Sequence, residues 1–595
     1  MMEMRRYWGV LFALLLASLF RGSPAFAMMD ERLFMKTLLL EAGKAFDEQV
    51  VSPNTVYVIQ DDFDFGGKKV SLPSGCWLSF QGGILSNGTL EANGARIDAP
   101  ADSVLFGKAF LLKDVSNEEV TLAWFRPEEK DDLAPVLQGL VQNQNVRTLR
   151  LAGRKIRTTY VEVDHSLSVV GEGAVISPVE KTVSSYYGVF RCREGNGRLT
   201  FDFSGFSIIG RKDVPVNHDH VGEALFYFND CAQVSFSGVV LGNITSGYGK
   251  PAYGYDFFAG LISCYDVKNL SIRNCEFYTN KGFEWICDMP VKLSRGEINV
   301  VFDDNYIHDA TSGASPVCFI CDQLSVCRNK VRNCKYYGSL FNVYGYHSVF
   351  ADNDIRDCIY SSIFDTCEYG DLLKTKRGEV ARYSDTVECT GNYCDCANAI
   401  LLLTWSRKIT VSNNEFYGIC LCNAQGCDSL GEKPDAAYIL PVNMEVSIKD
   451  NVCIGDKTDK SEKLAIYHSF VRLHSAYTVG GTVTIEGNEF LRSTLVDDFP
   501  FSIGNVKSIV LKDNKIQGCF RYESEKGRLG VLRVNSSHSA YYPLKDMDVE
   551  TITMTGNTIM DAFADEVDLI VPQIYRGRQF SIKKQNVRNN SMINK

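Results

Sequence analysis

The chain is built around a short motif in which one apolar residue stands three positions before an asparagine and another stands two positions after it. A further apolar residue stands five positions before the asparagine in eight of the nine copies, with Ser348 as the exception. Successive motif asparagines are 22 to 43 residues apart, and they are Asn305, Asn329, Asn353, Asn392, Asn414, Asn451, Asn488, Asn514 and Asn557. A fixed unit with variable insertions is typical of a solenoid, because extra residues can loop outward without disturbing the stacking of the units.

The apolar residues ahead of each asparagine alternate with period two, which predicts a β-strand at that place. We expect the asparagine itself to form a turn, since it tolerates left-handed backbone angles. Identical side chains stacked at about 4.8 Å can hydrogen-bond to the turns above and below, so the asparagines should form a ladder. The same frame fits Cys275 in the segment 272–277 and Gln585 in the segment 582–587. The motif therefore predicts an all-β chain folded as a parallel β-helix.

Composition narrows the remaining choices. A chain of 595 residues would ordinarily suggest about four domains, but a solenoid grows by adding coils and needs only one. An asparagine-rich surface on β-sandwiches is the alternative, and it would require hairpin dipeptides with turn signals about every 8–12 residues. The net charge of −10 argues against nucleic acid as the partner, because binding phosphates requires a clustered basic face.

The repeat resembles that of the pectate-lyase-like superfamily, most clearly over residues 265–587. Upstream, Trp124-Phe125, Asp131-Asp132 and a helical stretch over 133–141 resemble the opening of such domains. The Gly-punctuated block over 57–90 resembles the leader of such proteins in Bacteroidetes-type bacteria. The resemblance implies a right-handed parallel β-helix with a short N-terminal capping helix, and a polysaccharide as the partner.

The sequence divides into three regions. Residues 1–27 have the basic start, short apolar core and small-x-small end of a secretory signal peptide; a retained membrane anchor is the alternative. Residues 28–120 are expected to form an N-terminal capping region of short β coils, with an amphipathic helix over 33–46. Residues 121–595 are expected to form the β-helix. Cleavage would leave a net charge of −12, no transmembrane segment, and a secreted, periplasmic or cell-surface protein.

The 20 cysteines suggest a disulfide framework at first sight. However, Cys334, Cys358 and Cys519 stand five positions after a motif asparagine, where other coils have Ala310, Ala397, Ser493 and Ala562. This column of small residues indicates buried filling, and Cys389, Cys394 and Cys453 occupy inward apolar positions. Cys420, Cys422 and Cys427 are the cysteines we expect in an insertion and in disulfides.

Chemistry is expected on a further strand of each coil. Coil-by-coil placement predicts a stripe of catalytic carboxylates, Asp288, Asp322, Asp365 and Glu368, together with substrate-binding residues Trp285, Tyr344, His347, Trp405 and Arg407. One coil of separation, as expected between Asp288 and Asp322, gives about 5 Å, and two coils, as expected between Asp322 and Asp365, give about 9–10 Å. Retaining glycosidases need carboxylates about 5–5.5 Å apart and inverting ones about 6.5–9.5 Å. Turn capping is the alternative role for each aspartate.

We therefore expect a secreted protein that hydrolyses the glycosidic bonds of a polysaccharide. A polysaccharide lyase acting by β-elimination is one alternative, and it would need a base plus Ca²⁺ or arginine to neutralise a uronate. A non-catalytic, adhesin-like glycan-binding scaffold is the other. The hydrolase needs no cofactor, and no metal site is predicted, because the side chains of Cys318 and Cys321 should point to opposite faces of a strand.

Overall fold

Two compact units make up the described part of the chain, the first formed by residues 34–126 with 138–146 and the second by the remaining residues. The computed structural model describes residues 34–100, 102–126, 131–182, 185–186, 188–210, 224–244, 247–248, 258–259, 261–280, 286–289, 298–312, 316–336, 338–360, 362–366, 384–397, 399–404, 406–418, 420–425, 444–455, 469–474, 481–491, 500–504, 506–517, 530–535, 549–560, 568–572, 574–575, 578–579 and 582–593. The proposed signal peptide lies outside these residues. No helix in the described ranges is long and apolar enough to span a membrane.

The first unit consists of short parallel strands stacked on one another. Lys36–Leu39 pairs with Thr55–Ile59, which pairs with Trp77–Phe80, which pairs in turn with Gly88–Asp98. Its other strands and its 3₁₀ turn are Phe63–Asp64, Lys69–Ser71, Leu85–Ser86, Phe110–Val115, Glu119–Thr121 and Leu122–Trp124.

The helix predicted over residues 33–46 is wrong. The chain forms the strand Lys36–Leu39 there and has only a one-turn helix at Phe46–Gln49. Leu39, on the predicted apolar face, is 57% exposed, whereas Leu40 and Phe46 are buried. Parallel pairing with the next strand outweighs the helical spacing of the leucines, because tertiary context overrides a short amphipathic pattern.

The second unit is a parallel β-helix in which each coil contributes strands to three sheets. The first sheet contains Val161–Glu162, Phe190–Cys192, Phe226–Asn229, Ile262–Tyr265, Ile286–Met289, Ser362–Asp365, Ile400–Thr404, Cys420–Gln425, Val471–His474, Phe501–Gly504, Gly530–Asn535 and Asp568–Pro572. The second sheet, directly before the motif asparagine, contains Thr148–Arg150, Gln233–Ser237, Asn269–Arg273, Asn299–Asp303, Ser384–Thr390, Ser406–Ser412, Met444–Lys449, Gly481–Glu486, Ser508–Lys512, Val549–Thr555 and Ile582–Arg588. Two long strands, Val317–Cys327 and Ser339–Ala351, run through the first and second sheets without a break.

The third sheet follows the motif asparagine and consists mostly of three-residue strands. They are Lys155–Thr158, Val240–Gly242, Glu276–Tyr278, Tyr306–His308, Lys330–Arg332, Asp354–Ile359, Tyr393–Ala397, Glu415–Tyr417, Val452–Ile454, Glu489–Leu491, Lys515–Gln517, Thr558–Met560 and Ser591–Ile593. Leu167–Pro178 and Thr200–Ile209 span the second and third sheets. Neighbouring coils pair in parallel in all three sheets, which confirms the predicted β-helix.

A few elements lie outside the three sheets. The helix Ala134–Leu140 confirms the helical stretch predicted over 133–141. Two short strands, Thr311–Ser312 and Lys335–Tyr336, pair in parallel. Three small antiparallel pairs join Glu180–Thr182 to Ser185–Tyr186, Gly247–Tyr248 to Phe258–Ala259, and Ile574–Tyr575 to Arg578–Gln579.

The asparagine ladder is present and continuous. Each backbone N–H donates to the side-chain Oδ1 of the asparagine on the next coil, as Asn305 does to Asn329 at 2.9 Å and Asn392 does to Asn414 at 2.9 Å. Each Nδ2 also donates to a carbonyl on the preceding coil, as Asn414 does to Cys389 at 2.9 Å. The ladder asparagines from 305 to 557 are 0–1% exposed, so these bonds satisfy amide groups that burial would otherwise leave without partners.

Two details of the predicted motif are wrong. The left-handed residue is the one directly before each ladder asparagine, for example Asp304 with φ 60° and Gly391 with φ 66°. The asparagine itself turns inward and uses its amide, so a different residue must adopt the strained turn angle. At the far end the ladder residue is Asn590 and not Gln585, because Asn557 donates to Asn590 Oδ1.

Upstream of Asn305 the ladder position is occupied by Phe206, Val239 and Cys275. Gly205, Gly238 and Asn274 hold the left-handed angle in these coils, with φ 66°, 61° and 53°. Here the interior is filled by phenylalanine rings packed 4.9–5.3 Å apart, namely Phe190, Phe201, Phe203, Phe226, Phe228 and Phe236. These coils are held together by aromatic packing in place of an amide ladder.

The 16 cysteines whose side chains are described are all buried. Cys358 is in register with Cys396, one position earlier than the predicted Ala397, because a bulge follows Arg356. Cys420 and Cys422 lie on a strand of the first sheet and are 0% exposed, so their predicted place in an insertion is wrong; Cys427 lies outside the described residues. Burial raises the pKa of the Cys420 thiol to about 12, which keeps it protonated and unreactive.

Candidate functional site

Several predicted site residues cannot be placed. Trp285, Glu368 and Trp405 lie outside the described residues, and only the backbone is described for Asp288 and Tyr344. Asp322, Asp365, His347 and Arg407 are described with their side chains.

The strand register does not place the predicted carboxylates in one column. Asp288 is in register with Cys264 and Phe319, and Asp365 is in register with Asn342 and Leu403. Asn342 is in register with Cys318 on the strand that contains Asp322, so Cys318 belongs to the column of Asp365. Asp322 lies four residues after Cys318 on that strand. At about 3.3 Å per residue this offset is roughly 13 Å along the coil, so the predicted separation of about 9–10 Å between Asp322 and Asp365 is wrong.

The reason lies in the corner between the first and second sheets. Placing a residue by coil number alone fixes its height along the axis and leaves its position around the coil open. Because the insertions differ in length, the sequence does not show how many residues each coil uses before this corner.

Asn342 and Asp365 occupy neighbouring positions on the outer face of the first sheet. Phe341 and Val343, on either side of Asn342, are 0% exposed and point inward, so Asn342 points outward. Asn342 and Asp365 are nevertheless only 5% and 7% exposed. Asp365 Oδ2 accepts a hydrogen bond from Ser339 Oγ at 2.8 Å, while Asn342 Oδ1 is buried and has no hydrogen-bond partner among the described residues. A buried acceptor of this kind is costly unless a donor reaches it.

A second group of polar residues surrounds the corner that leads into the second sheet. We call it the corner cluster, and it consists of Tyr346, His347, Asp385, Thr386 and Arg407. The Nε and Nη2 atoms of Arg407 donate to Oδ1 and Oδ2 of Asp385, at 2.6 and 3.2 Å respectively. His347 Nδ1 lies 2.8 Å from Thr386 Oγ1, and the rings of Tyr346 and His347 meet edge to face at 4.5 Å.

The bidentate pair fixes a carboxylate at the surface of the cluster. The hydrogen bonds to Asp385, followed by its charge, raise the pKa of Arg407. A two-pronged guanidinium–carboxylate contact is among the stronger and more directional polar contacts in proteins. Because the Asp385 side chain is 15% exposed and that of Arg407 is 40% exposed, the anionic group is held in a defined position with access to solvent.

Three residues of the corner cluster, Tyr346, Asp385 and Arg407, share a column with Asp322. Cys321 and Gln323 are in register with Gly345 and His347, which places Asp322 beside Tyr346. The pairings of the following coils place Asp385 next to Tyr346 and Arg407 next to Asp385. Asp322 and Asp385 are therefore two coils apart in one column, about 9–10 Å between backbones, with Tyr346 between them.

Asp322 also has a structural contact. Its Oδ2 accepts a hydrogen bond from the Ile298 backbone N–H at 3.2 Å, and the residue is 4% exposed. This contact agrees with the turn-capping role considered for aspartates in the sequence. The column thus contains one carboxylate tied to the backbone and one tied to arginine.

Sequence reasoning missed Asp385 and Asn342, although a signal for Asp385 was present. Asp322, Tyr346, Asp385 and Arg407 each stand seven positions before a ladder asparagine. Counting from the ladder would have placed all four in one column, since the second sheet has no insertions. No metal-binding group of three or more acidic, histidine or cysteine side chains occurs in the described ranges.

Known proteins do not identify a function for these residues. No protein-family model matches the chain, and no curated protein matches it either.

Proposed function

We propose that the protein is a secreted polysaccharide hydrolase whose active site is the corner cluster together with Asp322. One observation carries the proposal: two carboxylates, Asp322 and Asp385, occupy one column two coils apart on either side of Tyr346. Glycosidic hydrolysis needs one carboxyl group to protonate the leaving oxygen and one to activate water. A spacing of about 9–10 Å leaves room for that water and matches the upper range for inverting enzymes.

The contacts support a different role for each carboxylate. Arg407 holds Asp385 as an anion in a fixed orientation, which suits the base that activates water. Asp322 is then the acid. Tyr346 and His347 present ring surfaces and polar edges beside the two carboxylates, and sugars offer both apolar faces and hydroxyl groups to such rings.

The outer face of the first sheet extends this site. Asn342 Oδ1 is a buried acceptor that no residue in the described ranges contacts as a hydrogen-bond donor, and a sugar hydroxyl is a donor of the right chemistry for it. Further along the same face, Tyr227 and Tyr265 stand with their rings 5.7 Å apart on neighbouring coils. Both features favour a chain-like carbohydrate lying along the coil axis.

The proposal includes membership of the pectate-lyase-like superfamily and export through residues 1–27. The continuous asparagine ladder, the three parallel sheets and the helix Ala134–Leu140 support that membership. The sequence of residues 1–27 supports export.

The test is hydrolysis of a panel of polysaccharides by the full chain and by Asp322→Asn and Asp385→Asn variants. Loss of a catalytic acid or base should lower turnover by about 10²–10⁴-fold, measured as the release of reducing ends. Asparagine retains an acceptor oxygen for the Ile298 N–H, so Asp322→Asn should keep its fold. Proton NMR of the first product should show inverted anomeric configuration.

Glu388→Gln is the matched control, because Glu388 is an exposed carboxylate on the same strand as Asp385. Its turnover should equal that of the parent. Unchanged turnover in Asp385→Asn would disprove the assigned site. Products absorbing as unsaturated uronates would identify a lyase, and binding without turnover on any glycan would identify a scaffold.

A further inference from the structure

The types of residue on the outer face of the third sheet differ between one part of the solenoid and another. In its three-residue strands the middle residue is buried, as Phe277, Ile307 and Phe416 are, so the first and third residues point outward. Over six consecutive coils, from Glu276–Tyr278 to Glu415–Tyr417, these outward positions contain only aromatic, charged and histidine side chains. We call this surface the third-sheet stripe.

At one end of the stripe a histidine is stacked between two tyrosines. His308 stacks on Tyr306 at 4.3 Å and on Tyr278 of the preceding coil at 5.7 Å. Its two ring nitrogens lie 2.9 Å from Glu276 and 2.7 Å from Asp309. The stack is therefore held in place by two carboxylates, and Tyr306 is 38% exposed at its surface.

At the other end an arginine lies on a tyrosine. The Arg356 guanidinium lies 4.2 Å from the centre of the Tyr393 ring, and Tyr393 is 5.8 Å from Tyr417 on the next coil. The Tyr417 hydroxyl donates to Glu415 at 2.7 Å, and this hydrogen bond raises the pKa of Tyr417 to about 12. These rings are thus fixed in orientation by polar contacts on regular strands.

The outward positions of the six coils carry four carboxylates and three cations, so the formal charge of the stripe is close to zero; they are Glu276, Asp354, Asp395 and Glu415 against Lys330, Arg332 and Arg356. Asp354 pairs with Arg332 on the preceding coil and with Arg356 on its own strand, the latter at 2.6 Å. Both arginines of the stripe are thus already bound to a carboxylate, and Arg356 is also stacked on a ring. An anionic polymer would have to compete with these internal pairs, which disfavours uronate-rich chains and nucleic acids.

The later coils of the same sheet form a natural comparison. Their outward positions contain Val452, Ile454, Glu489, Leu491, Lys515, Gln517, Thr558 and Met560, with one ion pair between Lys515 and Glu489 at 3.6 Å. A solvent-facing sheet surface can therefore be built here without tyrosines. The concentration of rings in six coils is a local property of the stripe and does not follow from strand formation alone.

We propose that the third-sheet stripe is a second carbohydrate-binding surface, which takes a neutral polysaccharide chain along the coil axis. Tyrosine faces stack on sugar rings, and the carboxylates of Glu276, Asp309 and Glu415 accept hydrogen bonds from hydroxyl groups. The stripe and the corner cluster belong to different sheets of the β-helix, so the stripe retains the protein on an insoluble glycan without taking part in hydrolysis. The choice of carbohydrate rests on the proposed function, whereas the surface itself rests on the contacts above.

The experiment measures retention of the full chain on insoluble xylan, mannan, β-glucan, cellulose and chitin, with cross-linked polygalacturonate as the acidic glycan. The test variant is Tyr306→Ala/Tyr393→Ala. The ring-preserving variant is Tyr306→Phe/Tyr393→Phe, and the matched control on the later coils is Lys515→Ala/Thr558→Ala. All are made in the Asp385→Asn background, so that retention is read independently of hydrolysis, and circular dichroism verifies the fold.

We expect the alanine variant to bind at least one neutral glycan about tenfold more weakly for each ring removed, while the phenylalanine and control variants bind like the parent. Hydrolysis of short soluble oligosaccharides should be unchanged when the alanine pair is made in the active chain. Equal retention of the alanine variant, retention only on polygalacturonate, or no retention on any glycan would each overturn the proposal. Ring-dependent retention without hydrolysis would support the stripe and contradict the proposed hydrolase.

Discussion

The coils before Asn305 and the coils after it are held in their stack by different contacts. In the upstream coils Phe203, Phe226 and Phe236 fill the interior and an apolar residue occupies the ladder position. In the downstream coils phenylalanine rings such as Phe350 and Phe364 share the interior with aliphatic residues and cysteines, and an unbroken row of asparagines hydrogen-bonds from coil to coil.

This difference separates two sources of stability. Aromatic packing is non-directional and stabilises in proportion to the apolar area that it buries. The ladder is directional, because each amide group has one defined partner on the neighbouring coil. The upstream coils should therefore tolerate small shifts in register that the downstream coils cannot.

The largest expected effect is the loss of an upstream ring. Phe226→Ala removes a side chain that contacts Phe203 and Phe236 and is 0% exposed. We expect the free energy of unfolding to fall by roughly 4 kcal/mol, measured by urea denaturation. Val471→Ala, at the corresponding interior position of a downstream coil, should cost about half as much, because the smaller side chain buries less apolar surface; equal losses would contradict the larger contribution of the upstream rings.

The next effect concerns the ladder. Asn414→Ala leaves the Asn392 N–H and the Cys389 carbonyl without their partners in a buried site. Orphaned groups of this kind cost about 1–3 kcal/mol each, so we expect a loss of roughly 3 kcal/mol. Hydrogen exchange should show faster exchange of the Asn392 amide, with the amides of the phenylalanine coils unaffected. A loss below about 1 kcal/mol would show that the ladder is dispensable.

Extending the ladder upstream should have the opposite sign. Cys275 already donates its backbone N–H to Asn305 Oδ1 at 2.9 Å. In Cys275→Asn the new amide can also donate to that oxygen and to the Phe236 carbonyl, as later ladder residues do. We expect a gain of up to about 1 kcal/mol in unfolding free energy. A destabilised variant would mean that the aromatic coils do not accept the ladder geometry.

The smallest expected effect is at the junction between the coils without the asparagine ladder and the coils that contain it. His308, on the first coil of the ladder, contacts Glu276 on the last coil before it, as well as Asp309, Tyr278 and Tyr306, and it is in register with Arg332. Burial alone would lower the pKa of His308, but the hydrogen bonds to Asp309 and Glu276 outweigh it, and the pKa is raised.

A raised folded-state pKa means that the stabilisation is complete below the ordinary histidine pKa and is lost as pH rises through the folded value. The difference in melting temperature between the parent and His308→Gln should therefore be larger at about pH 5.5 than at about pH 8.5. Lys512→Gln, which breaks an exposed pair with Glu486 in a later coil, serves as the control without a histidine. A difference that is constant with pH would contradict the junction role.

The repeat was readable from the sequence because its two signals are local. Period-two apolar residues and the recurring asparagine predicted strands, stacking and the ladder. The last rung at Asn590 was also readable, since Val587 and Met592 flank it with the motif spacing. The left-handed residue was misplaced because asparagine suits both the turn and the ladder, and only the buried amide contacts decide between them.

The candidate site was only partly predictable for a geometric reason. Positions in the second and third sheets have a fixed distance in sequence from a ladder asparagine, so Asp385 and Arg407 could have been aligned by counting. Asp365 lies on the first sheet, beyond a variable insertion, and its column depends on how its strand pairs with that of Asn342. The outward tyrosines of the third sheet gave no motif, because their meaning appears only when neighbouring coils are stacked.

The ladder also has a direction. The backbone N–H of Asn305 is satisfied by Asn329, that of Asn329 by Asn353, and so on to Asn590, so each coil depends on residues that follow it in the chain. During synthesis a newly formed coil must keep its amide donors exposed until the next 22 to 43 residues have emerged. The ladder thus favours vectorial assembly, in which each added coil completes the one before it.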